Sequence, residues 1–180
     1  LNINDAVTFD DITLVFKKVA IDKMNTSQQV FVNVYQVTIG KNTTFADGAF
    51  ISIFGGAKDA TSTVNGTNLT VLAGNYYRIA GGGKSGSVNG DTHLTVGESV
   101  NQTRDFTKGN STIMLGGNYR GTVSGSTYLT IEGDVNQGLD FNSHNVSAVC
   151  VYGAGEYGNV GRDTNVTITG NAKVNKVFGG

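Results

Sequence analysis

The stretch Gly116-Gly-Asn-Tyr-Arg-Gly-Thr-Val-Ser-Gly-Ser-Thr-Tyr-Leu-Thr-Ile131 decides the fold. Its last five residues alternate, so an extended chain carries Thr127, Leu129 and Ile131 on one side and Tyr128 and Thr130 on the other, the pattern of a half-buried strand. A glycine doublet opens the unit, and Val123-Ser-Gly125 marks its middle. The same three markers recur along the chain. Thr67-Asn-Leu-Thr-Val71, Thr92-His-Leu-Thr-Val96 and Thr164-Asn-Val-Thr-Ile168 repeat the Thr string, with Gln36-Val-Thr-Ile39 and Asp11-Ile-Thr-Leu14 as looser copies. Ile53-Phe-Gly-Gly56, Ile79-Ala-Gly-Gly82, Met114-Leu-Gly-Gly117, Val151-Tyr-Gly-Ala154 and Val177-Phe-Gly-Gly180 repeat the doublet.

Aligned this way, the central threonines are Thr13, Thr38, Thr70, Thr95, Thr130 and Thr167, at intervals of 25, 32, 25, 35 and 37 residues. Short β-rich runs with glycine at the corners and a repeat of this length predict an all-β fold, a parallel β-solenoid of about six rungs. The 26 glycines fit corners where coils approach closely, and the absence of proline fits strands that are paired on both sides. Residues 1–180 form one expected domain: 36–180 is the repeat region, and 1–35, poorer in glycine, is expected to be an atypical first rung, a cap or a strand arm. Surplus length in the two longest rungs falls in Gly97–Ser111 and Gly133–Ser147, expected to emerge as loops on one face.

Stacking turns equivalent positions into columns. Leu69, Leu94, Leu129 and Val166, with Val71, Val96, Ile131 and Ile168, are predicted core. Asn68, His93, Tyr128 and Asn165 are predicted to face outward. The column preceding the doublets, Phe54, Ala80, Leu115, Tyr152 and Phe178, is either second-layer core or an exposed apolar stripe. On the second reading Phe54, Leu115, Tyr152 and Phe178, with Gly179 and Gly180 at an uncapped last rung, are candidate assembly residues. Soluble solenoids cap their open ladders, so an uncapped rung is expected to dock against another molecule.

With 14 acids against 13 bases, the chain lacks the basic footprint of a nucleic-acid binder, and it has no apolar run long enough for a spanning helix. Nucleic-acid partners and membrane insertion are therefore not expected. His93 and His144 lack carboxylate partners or metal spacing, and no column repeats paired acids, so the sequence nominates no catalytic residue, metal ligand or cofactor. Cys150, the single cysteine, is either a small buried hydrophobe or, if exposed, a candidate for an intermolecular disulfide. Eight Asn-X-Ser/Thr sequons, at Asn25, Asn42, Asn65, Asn68, Asn101, Asn110, Asn145 and Asn165, exceed the roughly three that 19 Asn and 32 Ser and Thr residues place by chance. They suggest an extracellular or cell-surface, glycosylated chain. Tyr76, Tyr77, Tyr119 and Tyr128 are candidate ligand-facing aromatics.

The Gly116–Ile131 pattern resembles the Gly- and Thr-rich β-solenoid repeats of microbial extracellular surface proteins, such as adhesin and autotransporter-type stalks and sheath or fibre subunits. The resemblance covers residues 36–180 and implies a non-enzymatic structural protein whose main partner is itself, as a homopolymer or stacked solenoid. The alternatives are an adhesin or module binding cell-surface glycans, and a polysaccharide-acting β-helix enzyme, the last resting on fold analogy.

Overall fold

A computed structural model of the chain describes residues 2–3, 5, 7–10, 13–14, 28–33, 36–45, 50–102, 112–137 and 149–180. The described residues form eighteen strands, and the pairings between them are parallel. The protein is a parallel β-solenoid, and successive turns of the chain stack in register.

The first face is built by β2 (Val7–Phe9), β5 (Gln36–Ile39), the start of β9 (Thr67–Ala80), the start of β11 (Thr92–Gln102), β14 (Thr127–Ile131) and β17 (Thr164–Ile168). Its central residues stack as Thr8, Thr38, Thr70, Thr95, Thr130 and Thr167. The four clear Thr strings and Gln36–Ile39 thus align as the sequence predicts, but the first member does not. Thr13 belongs to β3 (Thr13–Leu14), which pairs with β6 (Thr44–Phe45) on another side of the coil. Val7-Thr-Phe9 has the same apolar-Thr-apolar alternation as Ile12-Thr-Leu14, so the string alone does not choose between them. The partner strand does, because Thr13 and Leu14 stand opposite Thr44 and Phe45.

The second face is built by β1 (Asn2–Ile3), β4 (Gln28–Val32), β7 (Ile51–Phe54), the end of β9, β12 (Thr112–Leu115), β15 (Val149–Tyr152) and β18 (Lys176–Phe178). β4 comes from the segment expected to be an atypical first rung, a cap or a strand arm, and it pairs with β7 through Val30 opposite Ile53 and Phe31 opposite Phe54. The described N-terminal strands therefore continue the ladder. A narrow third face contains β8 (Thr63–Val64), β10 (Ser87–Val88), β13 (Arg120–Val123) and β16 (Tyr157–Val160), with the valines in line.

The main core lies between the first two faces, where Val37, Leu69, Val71, Leu94, Val96, Leu129 and Ile131 meet Ile53, Ile79, Met114 and Val151. Burying each such side chain contributes about 1.5–3 kcal/mol. The valines of the third face pack with Ala57 into a smaller core. Phe31, Phe54, Ala80, Ile113 and Leu115 form another on the outer side of the second face, flanked by Tyr119 and Tyr152. The column before the doublets is thus second-layer core in its middle. Phe54 and Leu115 are fully buried, which removes them from any assembly surface, whereas Phe178 stays 42% exposed and stacks on half-buried Tyr152.

Candidate functional site

The repeated chemistry of the fold is a staple between adjacent coils. Thr67, Thr92 and Thr127 open their strands on the inward side and are fully buried. Their hydroxyls donate to the carbonyls of Gly81 at 2.7 Å, Gly116 at 2.7 Å and Gly153 at 2.5 Å, each the first glycine of the next doublet along the chain. The doublet glycines make room for this. A Cβ on Gly55 would collide with the Gly81 carbonyl oxygen, one on Gly81 with that of Gly116, and one on Gly116 with that of Gly153. Each carbonyl that accepts the threonine therefore leans into space left by the glycine of the preceding coil. Backbone bonds run alongside, from Gly81 N–H to the Leu115 carbonyl and from Gly116 N–H to the Tyr152 carbonyl. The doublets are glycine because neighbouring backbone occupies the Cβ position. Left-handed backbone is needed elsewhere, as at Gly74, where φ is +107° and the Phe45 ring fills the side-chain space.

A buried amide completes the corner. Asn118, almost wholly enclosed, accepts from Gly83 N–H at 2.6 Å through Oδ1 and donates through Nδ2 to the Gly86 carbonyl at 3.0 Å. In the sequence Asn118 belongs to no recurring marker, and the first Thr of each string shows only its place in the inward alternation. The visible signal was the parity of that threonine, which it shares with the core leucines.

The four tyrosines singled out as ligand-facing separate into three situations. Tyr76 is fully buried, packs edge-on against Phe45 at 5.3 Å and donates its hydroxyl to the Ala73 carbonyl at 3.0 Å, which withdraws it from a ligand-facing role. Burial pushes its phenol pKa far up. Tyr77 and Tyr119 are half-buried, Tyr77 beside Phe50. Tyr128 is 39% exposed and stacks face to face on His93, with ring centroids 4.7 Å apart. His93 and Tyr128 stand opposite each other in register, as the column reading predicted.

Cys150 lies on the second face, in register with Ile113 and Lys176, and it is buried. Of the two alternatives the sequence offers, its burial agrees with the small buried hydrophobe and not with an exposed, crosslinking thiol. Burial also pushes the thiol pKa up, and the Lys176 ammonium opposes that shift. Among the sequons, Asn42, Asn65, Asn101 and Asn165 are exposed and Asn68 is half-buried. Asn165 donates through Nδ2 to the Thr127 carbonyl at 3.3 Å. Asn25, Asn110, Asn145, His144 and most of both insertions lie outside the described residues. Among the described residues no group of three or more His, Cys, Asp and Glu side chains converges as a metal site.

A second cluster lies where the corner loops meet the outer side of the second face. The Arg78 guanidinium lies 4.1 Å from the Tyr119 ring centroid and donates from Nη2 to Glu156 Oε2 at 3.4 Å. Arg120 stands between two rings, 5.4 Å from Tyr119 and 5.7 Å from Tyr157, which themselves meet edge-on at 5.5 Å. Lys84 donates to Gln29 Oε1 at 3.1 Å. Comparison with known proteins gives no family, no curated relative and no solved structure that matches the chain.

Proposed function

We propose that the chain is a non-enzymatic structural element of an extracellular assembly, a stiff β-solenoid that stacks with further copies into a surface sheath, layer or fibre. The observation that carries this reading is the repetition of like on like. Thr38, Thr70, Thr95, Thr130 and Thr167 stack in one column, and Leu69, Leu94 and Leu129 in another. A coil interface in which each residue meets its own equivalent is self-complementary, and parallel strand addition to such a surface repeats the same bonds. Head-to-tail contacts of that kind extend instead of closing. Exposed sequons at Asn42, Asn65 and Asn101 support an extracellular setting.

Negative-stain imaging and fibre diffraction of concentrated native protein test the reading. Filaments or sheets with a reflection near 4.8 Å along the solenoid axis are expected. Dispersed monomers at every concentration would sink it. Intact mass above the calculated 18.8 kDa by whole glycan increments tests the glycoprotein reading, and equality with the calculated mass removes it.

A second reading, an adhesive module that holds glycans, is favoured by the exposed Tyr128 ring stacked on His93 on the outward side of the first face. Loss of glycan-array signal in Tyr128→Ala, with folding unchanged, is its expected signature. Signal retained in that variant argues against this ring as the contact.

A further inference from the structure

We infer that the corner-loop face around Arg120 and Tyr157 is a binding site for an acidic polysaccharide, with the rings holding sugar faces and the cations holding carboxylates. Three observations converge on this surface, and none depends on the self-assembly proposed above.

The first is exposure. Tyr157 is 67% exposed, the most exposed large hydrophobic side chain among the described residues, and Arg120 beside it is exposed too. The Tyr157 ring meets Tyr119 edge-on on one side and is otherwise open to water, so most of its surface is available to a ligand. The face of such a ring suits the C–H face of a pyranose.

The second is charge. Lys58, Arg78, Lys84 and Arg120 gather here, with Asp59 and Glu156 as the acids that interact with them, leaving an excess of two positive charges on a chain whose net charge is −1. Crowding is strong enough that burial together with Lys58, Arg78 and Arg120 lowers the Lys84 pKa. Glu156 is already held by Arg78, while the Arg120 guanidinium lies beside rings and is paired with no carboxylate among the described residues, which leaves its fork for a ligand carboxylate. Arginine binds such a group through two parallel bonds. Among the described residues, Arg78 Nε is buried with no hydrogen-bond partner, a further donor at the base of the cluster.

The third is repetition. Arg120 stands in register with Tyr157, and its N–H bonds the carbonyl of Lys84 at 2.9 Å, so Lys84, Arg120 and Tyr157 come from three successive coils. Coils are about 4.8 Å apart. A pyranose unit is about as long as one coil is high, so a uronate chain lying along the axis would meet a cation or a ring at each step. A nucleic acid fits less well, because the chain, with a net charge of −1, lacks a basic field to attract it.

Calorimetric titration of the full chain with oligogalacturonate at low salt is the test. Saturable binding that weakens with added salt is expected. Arg120→Ala and Tyr157→Ala should each lower affinity about tenfold, as loss of one charge-assisted or stacking contact does. Arg120→Lys should fall between parent and Arg120→Ala, because it keeps charge but loses the fork. The thermal midpoints of all three should stay near the parent's, since both side chains are exposed. Absence of binding at millimolar ligand overturns the site. So does equal binding of the fully methyl-esterified oligomer, parent-like affinity in both alanine variants, or tighter binding of an oligo(dT) of equal charge. If Tyr157→Ala is destabilised, the Arg120 variants alone decide.

Discussion

The staple at Thr92 makes a prediction whose size follows from the geometry. Thr92→Val keeps the side-chain shape and replaces the buried hydroxyl by a methyl, so the Gly116 carbonyl loses the donor 2.7 Å away. Leaving a buried carbonyl short of a partner costs about 1–3 kcal/mol. The extra methyl group recovers up to about 0.8 kcal/mol. With full recovery the net loss is roughly 0.2–2.2 kcal/mol, which lowers the thermal midpoint by up to about 9 °C at the 2–4 °C per kcal/mol of a chain this size. Gly81→Ala attacks the same carbonyl from the other side. Its Cβ would collide with the Gly116 oxygen and lie 3.2 Å from Leu94 Cβ, so the coil has to shift, at a cost of about 1–3 kcal/mol. Were there room, alanine would instead stabilise by about 0.4–1 kcal/mol through the unfolded state. The sign of the change therefore reads the geometry directly. Because both substitutions act on one oxygen, their effects should not add. Once Gly81→Ala has displaced the carbonyl, adding Thr92→Val should cost less by about 1 kcal/mol. Urea unfolding of the four proteins at neutral pH measures all three quantities, provided that the denaturant slope is unchanged. A Thr92→Val midpoint equal to the parent's, or strictly additive single effects, would refute the staple.

Three other outcomes are expected. Phe54→Ala, which empties a fully buried site stacked on Phe31 at 5.3 Å, should cost about 3–5 kcal/mol, whereas Phe178→Ala should cost under about 1 kcal/mol; similar unfolding midpoints for the two would contradict the second-layer core. Burial raises the Tyr76 phenol, so folding stability is complete below the unfolded tyrosine's pKa of about 10 and should fall above it by about 1.4 kcal/mol per pH unit. Tyr76→Phe removes this share of the alkaline slope and loses about 1 kcal/mol at neutral pH with its bond to Ala73, and an unchanged slope in urea titrations at high pH argues against the buried phenol. Cys150, buried and with its pKa raised, should resist iodoacetamide at pH 8 in the folded protein and react at once in urea, while rapid labelling of the native chain, read by mass, would place the thiol at the surface.

The solenoid was legible because its signals are redundant. Alternation, glycine punctuation and the missing proline each point to stacked strands, and the four Thr strings align in the structure as they do in the sequence. Where one signal stood alone, it misled. Val7–Phe9 and Ile12–Leu14 carry equal alternation, and only the pairing of Thr13 with Thr44 separates them. Tyr76 looked ligand-facing because it stands next to Tyr77 in a polar stretch. The bend at Gly74, with Phe45 below it, turns Tyr76 inward, and a single-residue φ value leaves no composition signal. The basic and aromatic cluster was invisible for another reason. Arg78, Lys84, Tyr119, Arg120 and Tyr157 are spread over three coils and come together only when the coils stack.

The staple also explains which part of each coil is free to vary in length. From the first doublet glycine to the first Thr of the string the spacing is 12 residues at Gly55 and Thr67, and 11 at Gly81 and Thr92, Gly116 and Thr127, and Gly153 and Thr164. That arc holds the corner, the valine of the third face and both ends of the device: the glycine that makes room and the threonine that bonds the next doublet. The arc from Gly55 to Thr67 holds one residue more, and Thr67 is still buried and bonded to the Gly81 carbonyl at 2.7 Å, so the corner takes up a single residue without turning the threonine away. The arc from the Thr string to the next doublet is held at its two ends by the staple bond, with 14 residues between Thr67 and Gly81, 24 between Thr92 and Gly116 and 26 between Thr127 and Gly153. Coil length from one central Thr to the next therefore runs from 25 residues, Thr70 to Thr95, to 37, Thr130 to Thr167, with the surplus confined to that arc. The same arrangement leaves the corner loops rigidly spaced, so that Lys84, Arg120 and Tyr157 recur at the coil repeat, while the chain between the first and second faces can lengthen without disturbing them.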